Sequence, residues 1–212
     1  MQVRTRHTPA FGVARLLLAP GEAVQADYSS MLASSYGVLV TPGRGGGRGS
    51  RSRRALFTAP AEGGWVDLAP AMPGDVFTLQ LDGAIGWCVR RGSCLAASAT
   101  VRAEPQWPGF RGLFGAEVGF LEHLGGEGAA VLASCGTLDV VQLDAGELIT
   151  VDPGYLLGYG HKVQCRLRAV NPALPQSLRT GEGLLLDFVG PGQLLIQTRT
   201  AHAMASWLQA VR

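Results

Sequence analysis

Charge is scarce in this 212-residue chain: 16% of its residues are charged and 47% are apolar. That balance excludes an intrinsically disordered protein, which stays unfolded through low hydrophobicity and high net charge. Lysine is nearly missing, since Lys162 stands alone and every other cation is an arginine. No apolar run approaches the roughly 20 residues that a membrane-spanning helix needs. The segment Met1 to Thr8 carries charge but no apolar h-region. A secretory leader is therefore not expected, and the cytoplasm is the expected location.

The side chains that usually announce catalysis are also thin. His7, His123, His161 and His202 are solitary, none within two or four residues of another. A metal ion needs three or more converging ligands, so no metal site is expected. Cys88, Cys94, Cys135 and Cys165 form no C-x-x-C and sit in apolar or alternating runs, the setting of buried free thiols. Cys165 has Arg166 and Arg168 beside it on what should be the opposite strand face, so nothing activates its thiol. No G-x-S-x-G or G-x-x-x-x-G-K-[ST] occurs, and the glycines from 43 to 49 lead into no helix pattern that could cradle a phosphate. No enzymatic activity and no cofactor are expected.

What the chain does have is glycine, 30 residues of it, and short alternating apolar segments. Together they predict short strands separated by tight turns, an all-β fold. A duplicated unit stands out. Ala145 to Val163 repeats the pattern of Pro20 to Val38: an acidic residue after the turn glycine (Glu22, Glu147), an aspartate five residues on (Asp27, Asp152), and a closing valine. A third, interrupted copy is read from Pro73-Gly74-Asp75, resuming at Gly92 and closing on Val101. Recurrence assigns these carboxylates to turns. A catalytic pair is needed once, whereas a carboxylate that accepts turn N–H groups is needed at every copy.

The expected organisation is one compact unit over residues 1–212, with approximate repeats at 8–67, 68–138 and 139–200. Residues 11–18 and 23–27 read as the arms of a hairpin, and Met31 to Val40 as one strand. Asp82-Gly83 reads as the turn of another hairpin, from Val76–Leu81 to Ile85–Arg90. Glu104 to Gly109 reads as a proline-rich connector between halves. Val163 to Ala169 alternates over seven positions, the pattern of a half-buried strand. Near the C-terminus Met204, Trp207, Leu208 and Val211 fall at helical spacing, which predicts a helix over 201–212 packed on the end of a sheet, or an oligomer contact.

Residues 42–54 break the pattern. Arg44, Arg48, Arg51, Arg53 and Arg54 crowd into a Gly/Ser-rich stretch that predicts a flexible loop. Without them, thirteen cations face sixteen anions, so the basic character belongs to this loop alone. Either the loop is a solubilising tip, or its free guanidinium groups meet phosphates of nucleic acid or an anionic membrane surface.

Several motifs together resemble the altered-inheritance-of-mitochondria protein 24 family. They are P-G-E at 20–22, L-F-T-A at 56–59, V-D-L-A-P-x-x-P-G-D at 66–75 and G-x-C-L-A-A-S at 92–98. They continue with L-x-A-G-E-x-I-T-V-D-x-G-Y-L-L-G-Y at 143–159, G-E-G at 181–183 and G-P-G-Q-L-L-I-Q-T-R at 190–199. The resemblance covers about residues 8 to 200. It implies tandem repeats of a β-sandwich or double-stranded β-helix unit similar to the tryptophan RNA-binding attenuation protein, and no established enzymatic activity. Tyr155 stands where the family often has histidine, and Arg44 to Arg54 replace a loop that is often apolar. The functional expectation is a non-enzymatic β-scaffold, self-associating as a homo-oligomer, and linked to membrane or protein assemblies. The alternative is a nucleic-acid binder that uses the arginine loop.

Overall fold

The computed structural model describes residues 1–43, 54–106, 121–170 and 183–211. Its elements are nearly all antiparallel strands, so the all-β expectation holds, with one short C-terminal helix, α1 (Ala201–Ala210). The chain divides into two units, and neither is a continuous stretch. The first holds residues 1–83, 94–101 and 126–137, and the second holds 84–93, 102–125 and 138–212.

In the first unit a four-stranded sheet runs β1 (Gln2–Arg6), β2 (Val13–Leu18), β7 (Gly64–Leu68), β4 (Met31–Ser34). A six-stranded sheet runs β5 (Leu39–Pro42), β6 (Arg54–Thr58), β3 (Ala23–Asp27), β10 (Cys94–Ser98), β13 (Glu127–Ala133), β8 (Val76–Asp82). Period-two patterning turns alternate side chains inward from both sheets. Leu16, Val66 and Leu68 from one sheet meet Val24, Phe57, Leu95 and Val131 from the other in a single core.

The second unit repeats the plan. Its six-stranded sheet runs β11 (Arg102–Gln106), β12 (Leu121–Gly125), β9 (Trp87–Arg90), β16 (Leu156–Gly160), β19 (Gly192–Gln197), β14 (Leu138–Leu143). A three-stranded sheet runs β15 (Leu148–Val151), β18 (Leu184–Val189), β17 (Gln164–Ala169). Leu121, Leu143, Leu156, Leu186, Phe188 and Leu194 fill its core, with Tyr159 tilted against Phe188 at 5.2 Å between ring centroids.

One pairing scheme occurs three times. β4 against β7, β10 against β13 and β16 against β19 each carry a register shift at the same place, between Met31 and Ala33, Cys94 and Ala96, and Leu156 and Gly158. Such a shift is a bulge that bends the strand. The strands on the other side of each centre, β2, β8 and β14, complete three matching triplets. A second kind of triplet also occurs three times, as β5-β6-β3, β11-β12-β9 and β17-β18-β15. Within the six-stranded sheets the two kinds are joined, β3 to β10 in the first unit and β9 to β16 in the second.

Several expected connections differ. β2 and β3 are not hairpin partners, because β2 pairs with β1 and β7 while β3 pairs with β6 and β10. The turn between them closes on itself, Glu22 N–H donating to the Ala19 carbonyl at 2.9 Å, and passes the chain from one sheet to the other. β8 and β9 likewise lie in different sheets, so Asp82-Gly83 is an arch and not a hairpin turn. Met31 to Val40 is two strands, β4 and β5, broken around Gly37 at φ 85°. Residues 104–106, the start of the expected connector, lie in β11, which has five ladder positions on β12. Finally, Pro73-Gly74-Asp75 lies before β8, the counterpart of β2, whereas Pro20-Gly21-Glu22 lies between β2 and β3. Gly74 forms parallel bridges to Phe11 and Gly136, the residues that lie just before β2 and β14.

Candidate interaction edges

Of the five arginines in the loop, Arg44, Arg48, Arg51 and Arg53 lie outside the described residues. Arg54 opens β6 opposite Asp27 of β3.

The recurring carboxylates all accept backbone N–H groups. Glu22 accepts from Ala19 at 2.9 Å and Glu147 from Asp144 at 2.8 Å. Asp27 accepts from Ser29 at 2.9 Å, Asp152 from Gly154 at 2.7 Å and Asp75 from Val76 at 2.8 Å. Glu22, Asp27, Glu147 and Asp152 thereby complete turns, whereas Asp75 holds the N–H of the residue that opens β8. Burial pushes the Asp75 carboxyl above its ordinary range, against the hydrogen bond from Val76.

Two groupings escape the sequence. His123 on β12 and His161 after β16 stand edge to face, 5.6 Å between ring centroids, although 38 positions separate them. Among the described residues no three His, Cys, Asp or Glu side chains converge on a point that would hold a metal ion. Cys88, Tyr159 and Cys165 also meet in the core of the second unit. Burial raises all three, Cys165 to about 12, so the thiols stay protonated and are poor nucleophiles. No signal in one sequence links positions so far apart.

On the three-stranded sheet, Thr150, Arg168 and Asp187 line an open depression. Asp187 takes hydrogen bonds from Arg168 at 2.7 and 3.1 Å and from Thr150 at 2.8 Å. Those bonds hold its carboxyl below the ordinary range. These three polar side chains are spent on one another.

The strand edges carry a sharper signal. An exposed edge offers unpaired N–H and C=O groups to any other strand, and proteins blunt it with charge or proline. Among the described residues eight strands lie at sheet edges. β1 has Arg4 and Arg6, β5 has Pro42, β8 has Asp82, β11 has Arg102 and Pro105, β14 has Asp139, and β17 has Arg166 and Arg168. Two edges have neither device: β4, Met-Leu-Ala-Ser, and β15, Leu-Ile-Thr-Val. Both expose large apolar side chains, Met31 and Leu32 (59% exposed) on β4 and Leu148 (72%) on β15. Helix α1 also buries no residue, and Trp207, Leu208 and Val211 face solvent. The packing of this helix on a sheet end is thus corrected for most of its stripe: Met204 is half-buried, but the other three apolar side chains are uncovered.

Comparison with known proteins gives concordant results. The family model described as Mitochondrial biogenesis AIM24 matches residues 3–199. An uncharacterised protein of Streptococcus pyogenes serotype M6 is 30% identical over 169 residues, which cover 77% of this chain and 66% of that relative. This chain thus spans just under two thirds of that relative's length. A crystal structure of a Streptococcus pyogenes protein matches with a TM-score of 0.79 at 21% identity, covering 100% of this chain and 99% of that one. At that identity the match speaks for the fold alone.

Proposed function

This chain belongs to the mitochondrial biogenesis AIM24 family, and we propose that it works as a non-enzymatic β-scaffold that self-associates through its strand edges. Its service is to protein or membrane assemblies, through surfaces and not through a reacting centre. The observation that carries this reading is the pair of edges without charge or proline, with Met31, Leu32 and Leu148 exposed on them. Large apolar side chains exposed along an unprotected strand edge fit a site of strand pairing. The recurring carboxylates support the non-enzymatic part, because each is committed to a backbone N–H. So do the protonated Cys88 and Cys165. Among the described residues no helix is long and apolar enough to cross a bilayer, so membrane work would be done at a surface or through a partner.

Light scattering across a dilution series tests the reading. The expected mass exceeds the 22.2 kDa of one chain and falls on dilution or on replacement of Leu148 by lysine. A mass of one chain at every concentration would sink the self-association.

A further inference from the structure

The two undefended edges are the two ends of a pattern that the chain completes twice within itself. In the first unit β10 bonds along β3, with Ala96 opposite Ala26, Ala97 opposite Gln25 and Ser98 opposite Val24. In the second, β16 bonds along β9 in the same way, with Gly158 opposite Val89, Tyr159 opposite Cys88 and Gly160 opposite Trp87. Each joint puts the residue that follows the bulge (Ala96 or Gly158) against the residue just before the charged residue that closes the partner segment (Ala26 before Asp27, Val89 before Arg90). β4 is the third strand of the bulged kind, and β15 is the third strand of the partner kind. Among the described residues neither has its neighbour.

Burial shows what the missing neighbour does. Cys94 to Ala97 on β10 and Leu156 to Gly160 on β16 are all buried. On β4, Met31 and Leu32 are exposed, and Leu32 matches Leu95 (6% exposed) and Leu157 (0%). The chain therefore writes an apolar strand at all three places and covers it at two.

We propose that β15 of one chain bonds antiparallel to β4 of a second copy, head to tail. Resting on the self-association proposed above, this names its surface and register. Ala33 lies opposite Val151 of the next copy, because Val151 precedes Asp152 as Ala26 precedes Asp27. Ser34 then lies opposite Thr150. Neither strand brings a charge to the joint. The contact is heterologous, so each added copy leaves one β4 and one β15 edge free until a ring closes; if the rotation does not close, a filament grows.

Two single-cysteine variants test the register, Ser34→Cys and Thr150→Cys. Directly opposed residues of an antiparallel pair have Cα atoms about 4.5–5.5 Å apart, within disulfide reach. The native thiols Cys88, Cys94 and Cys135 are buried, and wild type measures the background from them and from the half-buried Cys165. Under mild oxidation the mixture of the two variants is expected to give a disulfide-linked dimer, and each variant alone is not. A cross-link in Ser34→Cys alone would mean a two-fold contact and overturn the proposal. So would a doubly substituted chain that closes its disulfide at the mass of one chain. An assembled wild type with no cross-link in the mixture would reject these edges while leaving self-association standing. A wild type that stays a single chain would reject both. As a second measurement, Leu32→Glu and Leu148→Glu, at exposed positions that folding does not need, are each expected to weaken association about tenfold or more. Unchanged association in both would overturn the pairing.

Discussion

Asp67 sits on β7 at 2% exposure and takes three hydrogen bonds from two arginines. Arg6 donates at 2.7 Å, and Arg15 grips both oxygens at 2.8 Å while its guanidinium lies 4.0 Å from the centre of the Trp65 ring. The Arg15 bond, helped by Arg6 and opposed by burial, holds the carboxyl at about 2. The unfolded value is near 3.9, so the charged form is favoured by folding. That stability is fully present above about pH 4 and is lost as pH falls through about 2. It amounts to about 2 kcal/mol, with some discount for solvent around the half-exposed arginines. Asp67→Asn is expected to lower the urea-unfolding free energy by about 2 kcal/mol at pH 7. The gap to wild type should shrink between pH 4 and pH 2, and a gap independent of pH would disprove the assignment. The sequence shows Asp67 only as one acid on a short apolar strand, because both arginines arrive by sheet pairing.

Gly74 makes a different residue-level demand. A Cβ there would lie 1.9 Å from the Ser134 carbonyl oxygen, backbone against backbone. Gly74→Ala is expected to cost on the order of 3 kcal/mol or more in unfolding free energy, since neither side can yield. Gly21 is the comparison. A Cβ there meets nothing within 4 Å, but its φ is 68°, so Gly21→Ala should cost only the left-handed strain, about 1 kcal/mol. Equal costs would mean that space is not the constraint at Gly74. Sequence reading marks both glycines as turn residues. The three strand starts that meet at Gly74 are visible only once the sheets form.

At the level of elements, period and composition carried a great deal. The alternation through residues 163–169 appears as β17, exposed and half-buried by turns, and the stripe at 204–211 appears as α1. What a stretch is was legible, but what it lies beside was not. Ala19–Glu22 and Asp82-Gly83 have the composition of hairpin turns, yet each links strands of different sheets. Turn chemistry sets the local bend; the pairing is then decided by which apolar faces can be buried together. The helix teaches the same point in reverse. Its stripe is a sequence fact, but a stripe does not say whether anything covers it. Trp207 is 62% exposed, so Trp207→Ala is expected to change the stability of the chain by less than about 0.5 kcal/mol in urea titrations at low protein concentration. A loss of 2 kcal/mol or more would mean that the helix packs after all.

For the whole molecule, the decisive fact is where the threefold pairing scheme stops. Both internal joints link one kind of triplet to the other, and among the described residues one triplet of each kind is left unjoined. The duplicated motif from Pro20 and Ala145 gave this scheme partial visibility. The edges themselves were hidden, because β4 and β15 look in sequence like the buried strands they match. Only the list of neighbours separates a covered copy from an uncovered one. If the open edges join copies, stability must depend on protein concentration, because whatever binds only the folded state stabilises it by mass action. One heterologous joint per chain adds up to about 1.4 kcal/mol for each tenfold in concentration, or up to about 5 °C in a chain of this size. The apparent Tm of wild type, measured by scanning calorimetry over a hundredfold range, is therefore expected to climb with concentration. That of Leu148→Lys should stay flat and meet the wild-type value at the dilute end, because Leu148 is 72% exposed in the single chain. If the lysine variant instead melts lower than wild type at every dilution, Leu148 works within the chain. The edge would then be a folding element and not a joint.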